Sequence, residues 1–97
     1  MGFYDNNCMW YVYLLESIDG KWHYYGYSSD LKRRYNQHMN GEVTTTKHRL
    51  PLKLRYYEAY DNESLARKRE ATLKKSRSAT KAVLQRINPS LKSDGQD

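Results

Sequence analysis

A chain of 97 residues has room for one domain and buries only roughly two-thirds of its unfolded surface, which excludes a large enclosed core. Seventeen Lys and Arg against eleven Asp and Glu leave a formal charge of +6 and a pI near 9.5, a balance that favours a polyanionic partner, nucleic acid first, although a merely basic soluble surface gives the same figures. The lone cysteine, Cys8, excludes an internal disulfide and, with no Cys or His at ligand spacing, a zinc site, so a reducing compartment is expected.

Residues 1–8 read as an N-terminal extension. The opening MGFYDNNCMW has neither a basic n-region nor an apolar h-region, and Asn6 stands where a myristoylation signal needs Ser or Thr. No run approaches the ~18 consecutive apolar residues of a membrane span, so no membrane partner and a cytoplasmic location are expected. The mean hydropathy of −1.04 understates the apolar area, because ten tyrosines each bring a ring that buries while its hydroxyl stays polar.

In chain order, MWYVYLL at 9–15 reads as a strand with Trp10, Val12 and Leu14 on one face and Tyr11 and Tyr13 on the other, both faces at least partly covered. Asp19-Gly20 is a hairpin dipeptide, and Trp22 to Tyr27 has strand composition, so the two segments pair antiparallel and bring Tyr13 near Tyr24. Gly26 inside the second strand marks either a bulge or a close approach by another group.

Ser28, Ser29 and Asp30 offer an N-cap for a helix with Leu31, Tyr35 and Met39 as its apolar stripe, ending near Asn40-Gly41, and this spacing sets Arg34 and His38 one turn apart. Glu42 to Leu50 has no period and reads as a loop before Pro51. Leu52, Leu54 and Tyr56 alternate with Lys53, Arg55 and Tyr57, which predicts a third strand with the first three on one face. A second helix starts at Asp61, Asn62 and Glu63 and runs to about Lys75; a third starts with Ser78 as cap, carries Ala79, Val83 and Ile87, and stops at Asn88-Pro89. The domain thus spans 9–88, and the tail 89–97 holds too few apolar residues to order itself.

In the second helix Glu70 shares a stripe with Ala66 and Leu73, so a carboxylate sits among core-facing positions and has to be paired, protonated or bound to a metal ion. Read alone it is either a structural ion pair with a nearby cation or a metal ligand. Arg67, Lys68, Arg69, Lys74, Lys75, Arg77 and Lys81 form either a phosphate-neutralising band or an ordinary solvated face. Tyr13 and Tyr24 are either core rings or, with nearby cations to lower a hydroxyl pKa, participants in proton transfer.

The order YVY (11–13), YYG (24–26), DLKRRYNQH (30–38), a threonine and proline loop, LKLRYYEAY (52–60) and ARKREATLKK (66–75) resembles the GIY-YIG endonuclease family over residues 9–87. The likeness is greatest to its small stand-alone members, with the N-terminal nuclease domain of the excision-repair endonuclease a more distant relative. It implies a small α/β sandwich, a three-stranded antiparallel sheet flanked by helices, and DNA phosphodiester hydrolysis with one Mg²⁺ or Mn²⁺, in repair or recombination.

By the same resemblance Tyr13 activates the attacking water, Tyr24 orients the site, Arg34 clamps the scissile phosphate, His38 assists proton transfer or holds the phosphate, and Glu70 ligates the metal. Lys32, Arg33, Lys47, Arg67, Lys74 and Lys75 are the candidate nucleic-acid contacts. Tyr11 and Tyr25 stand where the family motifs carry glycine and isoleucine, which alters the shape of the cleft. Two rival readings are a weakly catalytic nucleic-acid adaptor that works with a partner protein, and a protein-interaction domain using its aromatic surface.

Overall fold

Strand β1 (Trp10–Ser17) occupies the middle of the sheet because it is the segment with apolar side chains on both faces. In the computed structural model, which describes residues 9–89, it is flanked by β2 (His23–Ser28) and β3 (Leu52–Tyr60), both antiparallel to it, in the order β2-β1-β3. The remaining elements are α1 (Leu31–Met39), a short 3₁₀ turn (Lys47–Arg49), α2 (Glu63–Lys75) and α3 (Arg77–Ile87). The expected extension at 1–8 and the tail at 90–97 lie outside the described residues. No helix among the described residues is long and apolar enough to cross a membrane.

Val12, Leu14 and Tyr25 on one face of the sheet pack with Ala66 and Leu73 of α2 and Val83 of α3. Tyr13, Leu15 and Leu52 on the other pack with Leu31, Tyr35 and Met39 of α1. The result is the expected three-stranded sheet covered by helices on both sides, with each helix contributing the stripe its sequence period laid out.

The caps follow from side-chain chemistry. Asp30 accepts from the Arg33 amide at 3.1 Å and starts α1; Asn62 accepts from Leu65 at 3.1 Å and starts α2. In the β1–β2 turn Gly20 has φ +75°, the left-handed conformation that a glycine adopts at no steric cost.

Two expectations need correction. The third helix is capped by Ser76, not Ser78: the Ser76 hydroxyl accepts from the Ala79 amide at 3.2 Å while its own amide donates to Thr72 at 2.8 Å. One residue thus ends α2 and begins α3, and a cap two residues later has no role. In β3, Leu52, Leu54 and Tyr56 do not share a face. Leu15 faces Leu54 while the adjacent Leu14 faces Tyr56, so Arg55 is an extra residue and the strand bulges there. Leu54 joins the α1 layer and Tyr56 the α2/α3 layer. Arg55 binds Glu16 and donates to the Ile87 carbonyl at 2.8 Å, tying β3 to β1 and to the end of α3.

Candidate active site

Tyr13 and Gly26 are direct partners across β1 and β2, and the Tyr13 side chain lies over the glycine. A β-carbon at Gly26 would collide with the Tyr13 hydroxyl and lie 2.6 Å from its Cζ and 3.1 Å from Tyr24 Cε2. Of the two readings left open for this glycine, close approach is the correct one; the bulge is in the β1–β3 pairing instead.

The Tyr13 hydroxyl, fully buried, lies 2.9 Å from His38 Nε2, and His38 Nδ1 lies 2.7 Å from the hydroxyl of Thr46. The Thr46 hydroxyl donates to the Val43 carbonyl at 3.5 Å, leaving its oxygen to accept from Nδ1–H of His38. Nε2 is then bare and accepts from Tyr13. Burial, and secondarily the Arg34 charge, holds His38 down to about 4, so the ring is neutral at pH 7. Burial pushes the Tyr13 hydroxyl up to about 12, against the opposing pull of Arg34.

Tyr24 is held between rings, 6.3 Å from Trp22 in a stacked arrangement and 5.2 Å from His38 edge-on, with Tyr13 at 6.4 Å. From α2 the Lys74 ammonium approaches to 5.6 Å from the centre of the Tyr24 ring while pairing with Glu70 at 2.9 Å. Arg34, half-buried, donates to Gln37 at 3.0 Å, and its charge and that of Glu70 both reach the Tyr13 hydroxyl.

The five expected site residues therefore gather at the β2 side of the sheet, contributed by β1, β2, α1 and α2. Glu70 is half-buried, and both readings of it persist: it has the ion pair, and it has the one hard carboxylate a magnesium-type ion needs from the protein. Among the described residues no group of three or more His, Cys, Asp or Glu forms a protein-only metal cage.

The expected nucleic-acid contacts are all exposed: Lys32 and Arg33 on α1, Lys47 in the 3₁₀ turn, and Arg67, Lys74 and Lys75 on α2. Lys74, Lys75, Arg77 and Lys81 line a recess of about 470 Å³ where α2 meets α3. Arg69 is the exception in the basic band, because it turns inward and grips Glu58 with two bonds of 2.9 Å. Burial raises the Glu58 pKa, but Arg69 and the Tyr56 and Tyr60 hydroxyls outweigh it and hold the carboxyl at about 2. Sequence reasoning missed Thr46, whose neighbours Thr44 and Thr45 are the same residue type in an aperiodic loop.

Residues 9–88 match the family described as the GIY-YIG catalytic domain. UPF0213 proteins from Streptococcus pyogenes serotypes M3 and M1 are each 40% identical over 74 residues, covering 75% of this chain and 79% of theirs. The solution NMR structure of the UPF0213 protein BH0048 from Bacillus halodurans superposes with a TM-score of 0.53 at 31% identity, covering 84% of this chain and 88% of that one.

Proposed function

The chain belongs to the GIY-YIG family of nuclease domains, and on that premise we propose that it is a metal-dependent endonuclease that hydrolyses DNA phosphodiester bonds, with repair or recombination as its setting. The observation that carries the reading is the convergence of Tyr13, Tyr24, Arg34 and His38 from three elements at one edge of the sheet, with Glu70 joined to them through Lys74.

Glu70 fits one Mg²⁺ or Mn²⁺, since such ions take one or two carboxylates and leave their other positions to water and phosphate oxygens. A divalent ion bound there supplies positive charge against the phosphate and makes an attacking water more acidic. Arg34 binds the phosphate oxygens and offsets the negative charge that grows during in-line attack.

Tyr13, at about 12, contributes almost no phenolate at neutral pH. It works as a relay: its hydroxyl takes a proton from the attacking water as its own proton passes 2.9 Å to His38 Nε2. Arrival of a phosphate neutralises part of the Arg34 charge that helps hold His38 down, which makes the imidazole a better acceptor when substrate is present. Tyr24 supports this by fixing the imidazole plane edge-on.

The test is a panel of labelled duplex, single-stranded, flapped and branched DNAs with Mg²⁺, Mn²⁺ or EDTA. Cutting that needs metal and disappears in Glu70→Ala and Arg34→Ala is expected. Salt-sensitive binding without cutting of any substrate would replace this reading with that of an adaptor, which the Lys74–Glu70 pair favours because it occupies the carboxylate.

A further inference from the structure

A groove of about 760 Å³ opens beside the N-terminal half of α1, on the sheet face that carries Tyr13. Tyr11, Tyr35, Tyr57 and Leu54 line it, with Lys32 and Arg33 at its border. The register explains the tyrosines: Tyr57 is the β3 partner of Tyr13, and Tyr11 precedes Tyr13 by two residues, so all three project on one side. Tyr11 and Tyr57 meet edge to face at 5.9 Å.

Core packing does not account for Tyr57, which is 54% exposed. Single exposed aromatic rings are ordinary on protein surfaces, but three in one groove beside two cations form a distinct surface. The acid among the lining residues, Asp30, is engaged in capping α1 through the Arg33 amide at 3.1 Å. The groove therefore offers aromatic faces and positive charge together.

Resting on the nuclease reading above, we propose that this groove is a stacking platform for unpaired DNA bases, with their phosphates running along Lys32 and Arg33. Bases in a duplex present their faces to each other and not to protein, so an aromatic platform selects a single-stranded segment, and stacking is tolerant of sequence because every base has a π-face. The path to the candidate active site is continuous. Ser29, Asp30 and Arg33 line both this groove and the neighbouring cleft that holds Arg34. A strand stacked on Tyr11 and Tyr57 is thereby led to Arg34, which makes DNA with an unpaired arm the substrate class.

The experiment measures fluorescence anisotropy of labelled oligo-dT and of a duplex of equal length, in EDTA so that nothing is cut. Tyr57→Ala is expected to weaken oligo-dT binding about tenfold and leave duplex binding within about twofold, the size of one lost base stack. Tyr57→Phe retains binding. Lys32→Ala weakens both ligands and lowers the dependence on salt by roughly 0.7–0.9 in log–log slope.

Unchanged oligo-dT binding in Tyr57→Ala, or equal losses for both DNAs, overturns the platform. Because Tyr57 is largely exposed, the variant folds, and its melting curve checks this. The cleavage panel separates the two readings: cutting with Tyr57-independent binding sinks the platform alone, and Tyr57-dependent binding without cutting sinks the nuclease alone.

Discussion

The Tyr13 hydroxyl and His38 Nε2 sit 2.9 Å apart, from residues 25 positions apart in the chain, and the pair is sealed from solvent on the protein side. A buried hydroxyl facing a buried imidazole gives each a partner, and Thr46 completes the set on the far nitrogen. Replacing Tyr13 with Phe keeps the ring and deletes the relay, so cleavage is expected to fall by about 10²–10⁴-fold. Cleavage assays with metal measure this, and retention of full activity rules out Tyr13 as a proton carrier.

Thr46→Val keeps the volume and removes the acceptor for Nδ1–H, leaving a buried donor without a partner. A stability loss of about 1–3 kcal/mol is expected from urea unfolding, with most of it restored in Thr46→Ser. If valine costs nothing, the assigned tautomer of His38 is wrong.

Gly26→Ala brings a methyl into the Tyr13 ring, 2.6 Å from Cζ, so Tyr13 must leave its place beside His38. The expected cost is about 1–3 kcal/mol together with a loss of cleavage. In a Tyr13→Leu background the ring end is gone, and the same alanine should cost much less; additive losses in this double-mutant cycle would contradict the contact.

Acid destabilisation follows from His38. Its folded pKa near 4 lies below the ordinary 6.5, so the unfolded chain takes up a proton first. Its contribution is complete above pH 6.5 and is lost as the pH falls toward 4, a ceiling of roughly 3 kcal/mol. Glu58, held near 2, adds its own loss only below about 4.5. Unfolding curves between pH 7 and 5 should therefore slope in the wild type and flatten in His38→Gln; identical slopes would remove His38 as the cause.

Lys74→Gln frees the Glu70 carboxylate of its partner at 2.9 Å. Mn²⁺ affinity without DNA, measured by EPR, should rise by up to about fivefold, the worth of a partly exposed ion pair. Unchanged affinity would mean that the ammonium does not compete with a metal at this carboxylate.

Much of this arrangement is legible in the chain. The caps at Asp30 and Asn62, the Asp19-Gly20 turn and the stripes of Leu31, Tyr35 and Met39 depend on contacts within a few residues, and local patterns report local contacts. Ser76 and Ser78 are equal as caps when read singly; Ser76 prevails because its amide also closes α2 on Thr72. The β3 bulge has no mark in an alternating LKLRYY, since both registers look alike until β1 supplies Leu14 and Leu15 as fixed partners.

The sequence by itself determined the elements, the one-domain organisation and the types of residue available for phosphodiester chemistry, because propensity, capping and periodicity act along the chain. Only the tertiary structure decided that Arg69 turns inward to Glu58 while its neighbours face solvent, and that Thr46 rather than Thr44 or Thr45 reaches His38. It also decided that Gly26 is a passage for the Tyr13 ring. Each of these depends on which segments lie side by side, and that proximity is created when the two faces of β1 are buried at once, not by any residue's own preference.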